Sequence, residues 1–566
     1  MNPIAVIAEA VANALRVVRN ALASMAPAPE YVMLTVSGTL PERRLPPVSR
    51  LRRLLPPLVA VPMQESLEEW RERLDLLAGD ARVQGIVLKI GGLTAGLTTL
   101  EALRGALLAF RARGKRVAAY LPVATLPHYY LASAADVIVA PDSLEWGLFG
   151  FRTEATFLRV ALDRLGVLPQ WHHLAEYKSA ANRFLYPRMP AAQREMLESI
   201  LHSVTADVID AVAASRRLSP GVVRDAVDLG VVSSQEAARI GLVDRLAFED
   251  DLPAVLAAGA RPATVLPWPA ARARIRAPLR WWAFQPPAIA VVELLGAIIP
   301  GESRDLPIPL PLFGQRVAGS DTVARAFRAA ERMPWVKAVV FHVDSPGGSA
   351  IASDLIWREV ERVQRTKPVV VHMGNVAGSG GYYVACGAKH IVAGATTLTG
   401  SIGVVSGKFD ASALAQRVGV HRDVLAVGET ATMPSAFRPY TEVEWARLRG
   451  WMEDVYVRFK SRVAAGRALS IDDVETVARG RVWTGRQALE RGLVDELGDL
   501  TSAVRRAKAL AGIPERIESR VLTMRPPKVA LLPAPAAPAA WLDEMRRLIE
   551  LTTDRPLLLM SDPSVL

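Results

Sequence analysis

A single cysteine, Cys386, serves a chain of 566 residues. That excludes an internal disulfide framework and fits a reducing compartment. No Cys/His spacing resembles a zinc site, and no glycine-rich Walker loop occurs, so neither a metal nor a cofactor is expected. No run of about 18 uncharged apolar residues is present, which argues against a membrane-spanning helix. The N-terminus also lacks the charged segment and uncharged apolar stretch of a cleavable signal. The expected location is therefore cytoplasmic or peripheral at a membrane. Lysines are scarce beside arginines, and the histidines number only 8.

What is present reads as globular. Charged residues make up 22% and hydrophobic residues 51% of a length suited to two to four domains. The net charge of +11 is dispersed along the chain. Such a spread gives no focused footprint for nucleic acid, and none is expected as a partner; an anionic membrane surface is compatible with it. Residues 1–28 form an amphipathic helix pattern. Glu9, Asn13, Arg16 and Asn20 line one face, and Ile4, Ile7, Val11, Leu15, Val18 and Leu22 the other. Such a helix can pack on its own protein, on a partner subunit, or on a membrane surface.

The chain repeats itself. "YYLASAADVIVAPDSLEWGLFGF" from Tyr129 matches "YYVACGAKHIVAGATTLTGSIGVV" from Tyr382, an offset that also pairs Gly150 with Gly403 and "RLGV" (164–167) with "RVGV" (417–420). "EAARIGLVDRL" (236–246) matches "QALERGLVDEL" (487–497) after a two-residue slip. Within each half, apolar strand runs alternate with helical patterns. In the second half "AVVFHV", "PVVVHM" and "HIVAG" read as strands, and "SDLIWREVERVQRT" as a helix. This alternation predicts an α/β fold with parallel pairing. The expected division is a helix over 1–28, a first repeat over 29–260, a Pro/Arg-rich linker over 261–287, a second repeat over 288–512, and a Pro/Ala-rich tail with a short helix over 513–566. Trp281 and Trp282 in the linker read as packing anchors.

Duplication lets one half serve as a control for the other. The second half carries "DSPGG" (344–348) where the first has "GGLTA" (91–95), and "AGSGGYY" where the first has "ATLPHYY". Ser379 thus aligns with Leu126. If the glycines made only a fold-required turn, both halves would need them, so the difference favours a function. Ser379 is the candidate nucleophile. Gly347 and Gly380, with no Cβ in the way, can present amides to a developing oxyanion, and Gly378 and Gly381 leave room for the bend. A serine hydroxyl needs a base. His342 and His372 lie within strand patterns and read as core or sheet-face residues. Lys178 in "LAEYKSAANRF" has Ala431 as its partner in the second half, so each half holds what the other lacks. That complementarity suggests one composite site, although a solvated surface lysine is the plainer reading of Lys178 alone.

The segments "DSPGGSAIASDLIW", "GNVAGSGGYYVACGA", "TLTGSIGVV" and "GRVWTGRQALERGLVDELG" together resemble signal peptide peptidase A (protease IV) in its long, duplicated form, over roughly residues 30 to 510. The resemblance implies two tandem Clp-protease/crotonase-like α/β domains and a ring-like homotetramer. It implies a serine peptidase with a Ser379/Lys178 dyad, and Ser401 orienting the lysine. The implied substrates are apolar peptides such as remnant signal peptides. Many relatives carry an N-terminal membrane span, whereas this sequence has only the amphipathic stretch. A crotonase-like acyl-thioester enzyme and a non-catalytic membrane-associated scaffold are the alternative readings.

Overall fold

The computed structural model describes residues 3–44, 65–279, 286–310, 314–525 and 557–559. The chain forms two compact units. One comprises residues 1–151 and 204–286, the other 152–203 and 287–566. The middle of the first repeat, including Lys178, therefore belongs to the same unit as the second repeat. Trp281, Trp282, the Pro/Ala stretch and the expected C-terminal helix lie outside the described residues.

In the first unit the strands Tyr31–Gly38, Gly85–Leu93, Arg116–Tyr120 and Val137–Ala140 pair in parallel, in that spatial order. Sequences such as "GIVL" are apolar on both faces because helices cover a parallel sheet on both sides; Ile86, Val87 and Leu88 are all fully buried. Part of the expected linker is built into this unit. Val265–Pro267 pairs in parallel with Tyr31–Met33 and closes the sheet edge, and the short helix Trp268–Ala271 follows it.

The N-terminal helix, Pro3–Ser24, packs with its polar face inward. Asn13 is buried, Asn20 Nδ2 donates to the Ala277 carbonyl, and the Ala277 amide donates to Asn20 Oδ1, both at 2.8 Å. Val11, Leu15, Val18 and Leu22 are left between 54% and 65% exposed.

The second unit holds the larger sheet, built on Val336–Ser345, Val369–Gly378 and His390–Ala393 in parallel, with Ala288–Leu295 on the other side of Val336–Ser345. The helix Ala350–Gln364 between the first two of these buries Ile356, Val360 and Val363, as its apolar spacing requires. Its N-cap Ser349 accepts a hydrogen bond from the Ala352 amide at 3.4 Å. The start of the expected tail is part of this sheet, since Arg520–Thr523 pairs in parallel with Ala288–Val291. A second sheet of the same unit runs through Ala297–Ile299, Gly347–Ser349, Leu557–Leu559, Val405–Asp410 and Leu168–His173.

The two repeats reuse one set of internal bonds. Tyr129 Oη donates to the Leu242 carbonyl, and Tyr382 Oη to the Leu493 carbonyl, each at 2.9 Å. Asp244 accepts from the Ile138 amide at 2.7 Å, and Asp495 from the Ile391 amide at 2.8 Å. Arg216 and Arg467 clasp those same aspartates.

Candidate active site

Ser379 stands at the junction of the strand Val369–Gly378 and the helix Gly380–Ala385, with φ 55° and ψ −113°. A non-glycine residue rarely adopts positive φ, and such strain is sustained only when the surroundings over-determine it. Here the Ser379 amide donates to the Gly400 carbonyl at 2.8 Å, and the Ser379 carbonyl accepts from the Tyr383 amide at 2.8 Å. The chain turns sharply and lies against its neighbours. A Cβ on Gly380 would come within 2.7 Å of Ser353 Oγ and 3.1 Å of Gly347 Cα; one on Gly381 would come within 2.7 Å of the Ser345 carbonyl. Glycine is required at both positions because backbone or rigid neighbours already fill the space. The Gly347 amide lies beside the same turn and donates to Ser345 Oγ at 3.1 Å.

Lys178 reaches this turn from the first repeat. Its Nζ lies 2.7 Å from Ser379 Oγ, 2.8 Å from the Ser401 carbonyl and 3.0 Å from Ser401 Oγ. A neutral amine has two N–H groups and one lone pair. With the two N–H groups donating to the Ser401 carbonyl and hydroxyl, the lone pair is left for the Ser379 hydroxyl proton. Lys178 is 1% exposed and Ser379 fully buried. Burial, which disfavours the charged ammonium, holds the Lys178 pKa well below the ordinary lysine value. Glu176, next but one in sequence, does not counter this. Its carboxylate pairs with Arg479 at 2.8 Å.

Three segments hold the lysine, and two of them carry residues that sequence reasoning did not single out. Ser401 has φ 50°, and its amide donates to the Arg481 carbonyl at 2.7 Å. The Gly480 amide donates to the Ile402 carbonyl at 2.8 Å, and the Tyr177 amide to the Arg479 carbonyl at 3.3 Å. A Cβ on Gly480 would come within 2.5 Å of the Lys178 amide nitrogen, and one on Gly403 within 3.2 Å of Lys178 Cδ. The Arg481 guanidinium lies over the Tyr177 ring at 4.7 Å and pairs with Glu195. The usable signal was the glycine in "GRVWTG", whose importance shows only once Lys178 is beside it. His342 and His372 stack on each other, with their Nδ1 atoms 2.9 Å apart, and both are buried.

The match to known proteins falls on both repeats. Residues 109–261 and 361–514 each match Peptidase family S49. The chain belongs to this family. Among S49 relatives, "Serine protease SPPA, chloroplastic" of Arabidopsis thaliana is 30% identical over 471 residues, which is 82% of this chain and 69% of that protein. "Protease 4" of Haemophilus influenzae is 33% identical over 446 residues, covering 76% of this chain and 71% of that protein. "Protease 4" of Salmonella typhi is 32% identical over 450 residues, covering 76% and 70%. A mutant of ClpP1 from Listeria monocytogenes aligns with 37% of this chain and 91% of its own at 13% identity and a TM-score of 0.24. The S49 match in both halves accords with the two tandem α/β repeats.

Proposed function

We propose that this S49 serine peptidase hydrolyses peptide bonds through a Ser379/Lys178 dyad. The observation that carries the reading is the 2.7 Å approach of Lys178 Nζ to Ser379 Oγ in a buried setting. Neutral Lys178 takes the Ser379 proton as Oγ attacks the peptide carbonyl carbon. The resulting oxyanion is held by the Gly347 and Gly380 amides, with the Gly347 N–H leaving Ser345 Oγ for it. The tetrahedral intermediate collapses, Lys178 gives its proton to the departing amine, and an acyl-enzyme ester remains. Lys178 then takes a proton from water, whose oxygen attacks the ester. Collapse releases the carboxylic product and returns the proton to Ser379. Ser401 orients the amine throughout.

The substrates we assign are extended, apolar peptides such as remnant signal peptides. The assembly we assign is a homotetramer; the apolar segment that leaves Val424, Leu425 and Val427 between 63% and 100% exposed offers a surface for subunit contact. The outward stripe of Val11, Leu15, Val18 and Leu22, with Arg16 and Arg19 on the same helix, supports peripheral contact with an anionic bilayer.

Labelling with a fluorophosphonate probe tests the chemistry. Modification of Ser379 in the wild-type chain and its loss in Lys178→Ala are expected. Unlabelled Ser379 in a folded chain, or peptide turnover retained by Ser379→Ala, would overturn the dyad.

A further inference from the structure

The two strands that lead to Gly347 and Ser379 lose register just before they reach them. Val336–Ser345 and Val369–Gly378 pair in parallel as far as Val343 with Met373, and pair again at Ser345 with Ala377. Between these pairs a single residue, Asp344, faces Gly374, Asn375 and Val376. Such a bulge takes backbone amides out of the ladder, and they need another acceptor. The Asp344 side chain provides one. Its Oδ1 accepts from the Val376 amide at 3.1 Å, and its Oδ2 accepts from Asn375 Nδ2 at 3.5 Å. A Cβ on Gly374 would come within 2.9 Å of the Asp344 side chain, so glycine leaves the room that the carboxylate fills. From the opposite side, Thr397 Oγ1 donates to the Gly374 carbonyl at 2.8 Å.

The first repeat builds the same strands without this device. Lys115 Nζ donates to the Asp80 carbonyl at 2.9 Å and Lys367 Nζ to the Met333 carbonyl at 2.7 Å, so these lysines are counterparts. Lys367 stands one position further from Tyr382 than Lys115 does from Tyr129. Lys89 pairs with Tyr120 as His342 does with His372, so the extra residue comes after these pairs, where the bulge lies. Gly91 stands in the place of Asp344. In the first repeat Lys89 with Tyr120 is the last pair of the two strands. In the second the strands meet again beyond the bulge and their turns close up, with Gly347 Cα 3.1 Å from where a Cβ on Gly380 would lie.

We propose that Asp344 is a positioning residue of the peptidase: it bridges the bulge and so sets the Gly347 amide against Ser379. The inference rests on the peptidase reading and deepens it. A plug that the fold itself required would stand in both repeats, whereas only the repeat that holds the serine has it. Asp344 reaches Gly347 through Ser345 and Pro346, and Val376 reaches Ser379 through Ala377 and Gly378. The bond between Asp344 and Val376 therefore ties the two turns together at their roots. Without the carboxylate the strand ends part, as they do in the first repeat, and the oxyanion donor leaves its place beside the nucleophile. That loss falls on the transition state and not on substrate binding, so kcat and kcat/KM fall together.

The test compares Asp344→Ala and Asp344→Asn with the wild-type full chain. Asp344→Ala should lower kcat by about 100-fold, the scale of a misplacement near 1 Å, with KM unchanged. Asp344→Asn should restore most of the loss, because its Oδ1 can still accept from the Val376 amide. Deuterium exchange gives a readout that needs no turnover. In Asp344→Ala the amides of 376–379 should exchange faster than in wild type, and those of 369–373 should not. If the alanine chain does not fold, Asp344→Gly with Asn375 deleted replaces it, since the first repeat folds with that spacing. It should keep native circular dichroism and lose kcat to the same degree. Unchanged kcat or unchanged exchange at 376–379 in a folded variant would overturn the proposal, and so would an asparagine variant as slow as the alanine one. Turnover that survives Ser379→Ala would overturn the dyad and leave the exchange result standing, so the two ideas can fail separately.

Discussion

Lys178 and Ser379, 201 positions apart in sequence, meet at 2.7 Å inside one compact unit of a single chain. The contact exists because residues 152–203, drawn from the first repeat, pack with the second. Each repeat supplies one member of the pair.

The buried amine sets a pH dependence. The proposed dyad needs neutral Lys178, so kcat should rise with pH through the folded pKa of the lysine, which burial places well below 10.5. The same shift acts on stability. Above about 10.5 the lysine is neutral in both the folded and unfolded chains, and its stabilisation is fully present. As pH falls, the unfolded chain binds the proton first, and stability is lost down to the folded pKa. Lys178→Met should lower kcat by about 10⁴-fold or more. It should also gain stability over wild type at pH 7 relative to pH 10.5, as read by urea unfolding at both pH values.

Gly480 and Gly403 lie against each other and against Lys178. Gly480→Ala adds a Cβ within 2.5 Å of the Lys178 backbone, at a position whose φ is +78°. It should lower kcat by about 100-fold, the scale of a misplacement near 1 Å, while circular dichroism stays native. Gly403→Ala, whose Cβ would come within 2.9 Å of Gly480 Cα and 3.2 Å of Lys178 Cδ without a positive φ, should lose less than Gly480→Ala. Unchanged kcat in Gly480→Ala would separate the glycine from the site.

Tyr129 and Tyr382 make the same buried bond in the two repeats. Tyr129→Phe and Tyr382→Phe each leave a buried carbonyl without that donor and should each cost about 1–3 kcal/mol in chemical unfolding. Only Tyr382→Phe, three residues from Ser379, should also reduce turnover. A loss of turnover in Tyr129→Phe equal to that in Tyr382→Phe would count against a site held by the second repeat's turn.

The outward apolar stripe predicts membrane contact. The wild-type chain should float with vesicles rich in anionic lipid, less so at high salt, and Leu15→Asp/Val18→Asp should remain in the soluble fraction with its peptidase activity intact. Flotation equal to wild type would assign the stripe to another partner.

Much of the second unit was readable from periodicity alone. The runs at 338–343, 368–373 and 390–394 are apolar because both sheet faces are covered, and all three fall on strands. Comparing the halves singled out Ser379 and Lys178 as candidates, because a duplicated fold reveals residues that its twin does without. Other features were not readable. The N-terminal helix has a polar and an apolar face in sequence, and periodicity reports that difference but not which face is turned inward. Hydrogen bonds between Asn20 and Ala277, 257 positions away, turn the polar face in.

The sequence by itself determined the duplication and the alternating α/β pattern, and it set Ser379 and Lys178 apart as candidates, since all of these are written in local residue types and in their offset between the halves. Only the tertiary structure decided that residues 152–203 join the second repeat, that Gly403 and Gly480 press on Lys178, and that Leu557–Leu559 lies along Gly347–Ser349. These depend on which distant backbones come within hydrogen-bond or van der Waals distance. The packing of the whole chain sets that closeness, and no short stretch of residues encodes it.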